Sequence, residues 1–249
     1  MLELNRISAG YGKQTVLDGI SVDFEKGKLT SIIGVNGCGK STLLKAILGI
    51  LSLSSGEIFI DGENLLTISR NEIAKKIAYL SQGKNIPDMT VEQMVLHGRF
   101  PYLSYPRRYS SHDREVAIKA METVGVAEFA HKPLYSLSGG MRQNAYIAMA
   151  LAQDTDYILL DEPTTYLDIA HQLELMRILR KLADSGKGIV TVMHDLPIAF
   201  DFSDKLAVIN NGKISAYGKP SEICESHIVE DIFGVKIKQV QKGKYLYEY

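Results

Sequence analysis

Eight residues, Gly34-Val35-Asn36-Gly37-Cys38-Gly39-Lys40-Ser41, constrain this chain more than any other stretch. They follow the apolar run Leu-Thr-Ser-Ile-Ile and precede an amphipathic run from Lys40 to Gly49. Glycine costs backbone entropy on folding, so Gly34, Gly37 and Gly39 together imply that something must approach bare backbone. The spacing G-x-x-x-x-G-K-S describes a strand, a turn whose N–H groups converge on phosphate, and a helix whose positive end faces the same anion. Gly34, Asn36, Gly37, Cys38 and Gly39 would form the cradle. Lys40 would reach the β and γ oxygens of a triphosphate, and Ser41, followed by Thr42, would offer its hydroxyl to Mg²⁺.

The rest of the chain fits that start. "GEIFIDGEN" reads as a strand closed by an Asp-Gly turn, and "KKIAYLSQ" as another short strand. "TVEQMVLHG" and "DREVAIKAMETVG" have apolar residues at helical spacing, each ending in glycine. Between them "RFPYLSYPRRYSS" reads as a loop, with Arg99, Arg107 and Arg108 in water. Strand character returns at "DTDYILLDEP" and "GIVTVMHD", with the helical "AHQLELMRILRKLADSG" between and a hairpin about Asn211-Gly212 after. The tail "GVKIKQVQKGKYLYEY" reads as strands without an assignable role. Alternating strands and helices at both ends predict an α/β fold: a P-loop NTPase with a mostly parallel central sheet, an antiparallel β portion and an inserted helical subdomain. The expected organisation is one domain over 1–249, its core at about 1–85 and 156–249 and its helical part at about 86–155.

A second motif, Tyr157-Ile158-Leu159-Leu160-Asp161-Glu162, places two carboxylates at the carboxyl end of a buried strand, where open α/β sheets bind ligands. Asp161 would hold Mg²⁺. Glu162 points elsewhere and can polarise a water toward the γ-phosphate. A third, "LSLSGGMRQNAYIAMALAQ", offers Ser136 or Ser138 as a helix cap, with Gly139 and Gly140 leaving amides open at its positive end. Local physics alone reads this as a plain cap; it is also a second anion site outside the P-loop.

Together, "LSGGMRQ", the P-loop and "ILLDEPTTYLD" resemble the signature of ATP-binding cassette ATPases, in family order over the whole chain. The resemblance implies that Tyr11 stacks on adenine and that Gln82 joins the two lobes and reaches the metal. It makes Ser138, Gly139 and Gly140 the signature contacts, Asp168 the aspartate at a dimer seam and His194 a switch histidine on the γ-phosphate. It also implies an ATP-dependent head-to-tail dimer of two copies, each ATP lying between one P-loop and the other copy's signature helix. "HGRFPYLSY", "AYIAMALAQDT" and "HDLPIAF" resemble the ATPases of iron–siderophore, haem and vitamin B12 importers, the siderophore group most closely. That likeness implies integral membrane permease partners, indirectly an extracytoplasmic substrate-binding protein, and a peripheral place on the cytoplasmic face of the cell membrane. A soluble cassette without a permease, acting in assembly or repair, and a nucleotide-gated module that hardly hydrolyses ATP are the other readings. Val35, Cys38, Met141 and Tyr166 depart from common family residues; no catalytic position is lost.

A formal net charge of −1 gives no electrostatic reason to expect nucleic acid. The start MLELNRISAGYG has no apolar signal core, and only Cys38 and Cys224 are present, so the expectation is a reducing compartment without a disulfide framework. His97, His112, His131, His171 and His227 show no metal spacing and read as ordinary. Cys38 reads as a small filler, or as a thiol that alkylating agents reach unless nucleotide covers it.

Overall fold

The computed structural model describes residues 1–82 and 86–248. The expected core boundary at residue 85, and the last residue of the tail, lie outside the described residues.

The chain opens with β1 (Leu2–Tyr11) and β2 (Gln14–Phe24), an antiparallel pair. Then come β3 (Leu29–Ile33), the glycine turn and α1 (Lys40–Ile47). β4 (Leu53–Ile60) and β5 (Glu63–Asn64) form the Asp-Gly hairpin, and β4 pairs with β1. α2 (Arg70–Lys76) leads into β6 (Ile77–Leu80). Three helices follow, the last two longer than those before: α3 (Val91–His97), α4 (Ser111–Thr123) and α5 (Gly139–Ala152). The remainder alternates: β7 (Tyr157–Asp161), α6 (Ile169–Asp184), β8 (Gly188–Val192), α7 (Leu196–Phe202), then the hairpin β9 (Lys205–Asn210) and β10 (Lys213–Gly218). Short helices α8 (Pro220–Glu225) and α9 (Ile228–Phe233) and a terminal hairpin, β11 (Lys236–Gln241) with β12 (Lys244–Glu248), complete it.

The central sheet runs β10-β9-β3-β8-β7-β6, parallel from β9 to β6 with β10 antiparallel at one edge. Continuous apolar strands are what a parallel sheet covered on both faces requires. β7 shows the alternation: Tyr157 and Leu159 join the core shared with α1 and the antiparallel sheet, while Ile158 and Leu160 join the core under the helices. The register Leu80↔Leu160, Asp161↔Val192 and Ile32↔Val192 aligns the carboxyl ends of β6, β7, β8 and β3. The segments that leave those four ends are therefore neighbours in space.

From 86 to 156 the described residues form helices and 3₁₀ turns, with one isolated bridge, Thr90 to Pro133. No helix among the described residues is long and apolar enough to cross a membrane. Gly98 is not the left-handed helix stop that its position suggests. Its backbone is right-handed, and a Cβ there would meet the Met149 carbonyl at 2.1 Å, so it is glycine because α3 and α5 approach closely.

Arg99 corrects the expectation of a solvated arginine loop. It is 4% exposed, its Nε donates to Asp113 at 2.9 Å, and its Nη1 donates to the Ala152 carbonyl at 3.0 Å. The segment after it forms one 3₁₀ turn, Phe100–Tyr102, before the loop begins. Burial alone would raise the Asp113 carboxyl, but hydrogen bonds from Ser110 and the Arg99 guanidinium hold it down at about 2, below its ordinary 3.8. Its stabilising contribution is therefore complete above pH 3.8 and fades as pH falls toward about 2, where the folded state also takes the proton. R99A leaves Asp113 buried without its cation and is expected to cost about 3–5 kcal/mol. Urea denaturation checks this, and the R99A deficit should shrink as pH falls through that window.

Candidate functional site

The P-loop is built by torsion and by crowding. Gly37 (φ 79°) and Gly39 (φ 109°) occupy left-handed backbone that side chains disfavour. A Cβ on Gly34 would lie 2.4 Å from the Ile209 carbonyl, so that position is glycine for space. Gly39 precedes α1 without a side-chain cap, which leaves the first helical amides to a ligand. Asn36 and Gly37 face solvent, and Thr42 is buried inside α1. Lys40 is 5% exposed; its Nζ donates to the carbonyls of Gly34 at 2.7 Å and Val35 at 3.0 Å.

Across the sheet, Ser41 Oγ donates to Asp161 Oδ1 at 3.0 Å, bridging the turn after β3 and the end of β7. The Tyr79 phenol donates to the other oxygen, Oδ2, at 3.4 Å. Burial pushes the Asp161 carboxyl up, against the Ser41 hydrogen bond that lowers it, and the neighbouring Glu162 charge raises it further. A buried carboxylate facing a hydroxyl suits a hard cation such as Mg²⁺, which takes one or two carboxylates plus phosphate oxygens rather than a protein cage. Among the described residues no group of three or more His, Cys, Asp or Glu is gathered as a metal cluster.

Glu162 has a φ of 53°, strained for a residue with a side chain, as happens where the surroundings over-determine the backbone. Gln82 Nε2, on the segment leaving β6, donates to Glu162 Oε2. His194 Nε2, on the segment leaving β8, lies 2.5 Å from Oε1. Thr165 Oγ1 adds a third contact at 3.3 Å. One carboxylate is thus gripped from both neighbouring strands. Gln82, Asp161, Glu162 and Gly139 line one groove of about 830 Å³.

Ser138, not Ser136, caps α5: its Oγ accepts from the Met141 amide at 3.3 Å, while the Ser136 hydroxyl donates to the Pro133 carbonyl at 2.7 Å. A Cβ on Gly139 would meet nothing within 4 Å. Among the described residues no hydrogen bond or ion pair joins 138–140 to the P-loop. Asp168 caps α6, accepting from the His171 amide at 3.0 Å and pairing with its Nδ1 at 2.7 Å. Those hydrogen bonds hold the exposed Asp168 carboxyl below its ordinary value. Tyr11 ends β1 with half its surface exposed, and Tyr166, 98% exposed, has a φ of 67°.

Three partners escape a reading of local pattern: Tyr79 on Asp161, Thr165 on Glu162, and His171, which reads as ordinary. The i, i+3 spacing of Asp168 and His171 at a helix start is the signal that marks the last of these. Cys38 is 6% exposed, and burial pushes its thiol up. N-ethylmaleimide at neutral pH is therefore expected to label it slowly even without nucleotide, with or without MgATP, as mass spectrometry would show.

Residues 17–165 match the family model described as ABC transporter. The chain is 42% identical to the petrobactin import ATP-binding protein FpuD of Bacillus anthracis over 93% of its length and 86% of that protein. It is 40% identical to the ferric enterobactin transport ATP-binding protein FepC of Escherichia coli, with 93% and 86% covered. A solved metal-chelate type ABC transporter, in an inward-facing conformation, superposes with a TM-score of 0.86 at 28% identity. It covers 100% of this chain and 97% of the matched one.

Proposed function

This chain belongs to the ABC transporter family, and from that premise we propose that it is the ATP-binding, ATP-hydrolysing subunit of an importer for an iron(III)–siderophore complex. The observation that carries the hydrolytic part is the grip of Gln82 and His194 on Glu162 beside the Ser41–Asp161 pair. Relatives named for petrobactin and ferric enterobactin transport support the cargo class.

ATP is the substrate. Lys40 exchanges its two carbonyl partners for phosphate oxygens, and the amides from Gly34 to Ser41 take the rest. Tyr11 stacks on the base. Ser41 and Asp161, with Gln82, are the residues that would hold Mg²⁺, which when bound neutralises charge developing between the β- and γ-phosphates. Glu162 accepts a proton from the attacking water and His194 steadies that carboxylate and the γ-phosphate. Gln82 couples the site to the helical segment at about 86–155, which we treat as a subdomain inserted in a core of about 1–85 and 156–249.

Ser138 and Gly139 are exposed at the start of α5 with Gly140 buried behind them, and among the described residues none of the three is hydrogen-bonded to the chain's own P-loop. We therefore assign them to a second copy, paired head-to-tail, with Asp168 at the seam. ATP favours that closed pair because it adds contacts that the open state lacks. The protein would sit at the cytoplasmic face of the membrane, held by permease subunits that receive cargo from an external binding protein.

Deleting the gene tests the proposal. Energy-dependent uptake of radio-iron supplied as a siderophore complex should vanish and return with the wild-type copy but not with E162Q. Unchanged iron uptake with lost haem or cobalamin uptake would move the cargo class. Purification from solubilised membranes that recovers no polytopic partner would favour a soluble cassette.

A further inference from the structure

Gly140 has ordinary helical backbone inside α5, so torsion gives no reason for glycine there. Space does. A Cβ on Gly140 would lie 2.2 Å from Cδ2 of His171 and 2.8 Å from its Cγ and Nε2, closer than a real side chain tolerates. The imidazole of α6 therefore occupies the place where residue 140 would carry its side chain. One surface pair holds the ring there: its other nitrogen, Nδ1, lies 2.7 Å from Asp168 Oδ2.

Several hydrogen bonds brace the segment between Glu162 and His171 around the exposed Tyr166. The Thr165 amide donates to the Glu162 carbonyl at 3.2 Å, and the Leu167 amide donates to the Thr164 carbonyl at 3.2 Å. Gln172 Nε2 reaches the carbonyls of Leu167 at 3.1 Å and Thr164 at 3.3 Å. Thr165 Oγ1 lies 3.3 Å from the Glu162 carboxylate. Contacts thus run from the start of α5, through the ring and the braced loop, to the carboxylate.

We infer that His171 is a positioning residue: it fills the side-chain space of Gly140 and ties the first turn of α5 to the loop carrying Glu162 within one chain. The inference rests on the proposed role of that loop in hydrolysis. When α5 moves on closure, the loop moves with it, so the two glycines of the turn have different duties. Gly139 leaves room outward, and Gly140 leaves room for His171.

Four proteins test this: wild type, G140A, H171A and the double variant G140A/H171A. H171A should lower kcat about five- to twenty-fold, the range of coupling through packed networks, with KM for ATP little changed because Lys40 and Ser41 are untouched. G140A should lower kcat and the thermal midpoint at least as far. Adding H171A to G140A should restore both to the H171A level, because the ring that the new methyl strikes is gone. G139A, read for stability alone, should melt like wild type. Strictly additive losses in the double variant, or a wild-type kcat in H171A, would overturn the inference. A lower midpoint in H171A with kcat unchanged would mean a structural role only and overturns it equally. If H171A does not fold, H171N takes its place, keeping a donor for Asp168 while withdrawing the ring. Binding of a fluorescent ATP analogue is measured on all four; a wild type that binds none would instead sink the functional reading.

Discussion

E162Q is expected to bind ATP with near wild-type affinity, to accumulate as a closed pair of copies, and to hydrolyse about 10²–10³ times more slowly. The amide matches the carboxylate in size, so it can still accept from Gln82 and meet His194, and the strained backbone at φ 53° is kept. What it lacks is the ability to take a proton from water. Removing a general base with the geometry intact lowers kcat and leaves binding alone. Phosphate release and size-exclusion chromatography with MgATP read the two halves separately. Turnover within about twofold of wild type would remove Glu162 from its role.

The second large effect belongs to Lys40. K40A should bind ATP about 10²–10³ times more weakly, because a nearly buried cation is lost from opposite a polyphosphate. Its fold should survive. Alanine suits the first turn of α1 better than most residues, and the lysine's present partners are two loop carbonyls that water can reach once it is gone. Circular dichroism with equilibrium binding separates the outcomes: native spectrum with lost affinity supports the assignment, and a collapsed spectrum would make the lysine a structural strut.

The strand–turn–helix at 29–47 is legible in the sequence because each part is local: apolar run, glycines, then helical periodicity. The same holds for the β9–β10 hairpin, where Asn211 and Gly212 take the left-handed torsions that such turns need. α2 is not read from periodicity, since seven residues give barely two turns, yet its capping box, Ser69 with Glu72, is written in the chain. β1 and β2 escape because bulges interrupt their alternation, with register shifts at Leu4/Ile7 and Ile7/Ala9. Residue roles separated by long stretches are another matter. Gln82 and Glu162 are 80 positions apart, and only strand order brings β6 beside β7, so local pattern is silent and family likeness carries the expectation. Arg99 shows the opposite failure. Its prolines, tyrosines and arginines look solvated, but the ion pair with Asp113 draws it inward, and charge alone does not say where a partner lies.

Two copies of E162Q trapped with MgATP and solved by cryo-electron microscopy or crystallography give the most direct trial of the central claim. Each nucleotide should have one copy's P-loop on its phosphates and the second copy's Ser138 hydroxyl and Gly139 and Gly140 amides within hydrogen-bond distance of the γ-phosphate oxygens. ATP bound by the P-loop alone, with both signature turns open to solvent, would contradict it.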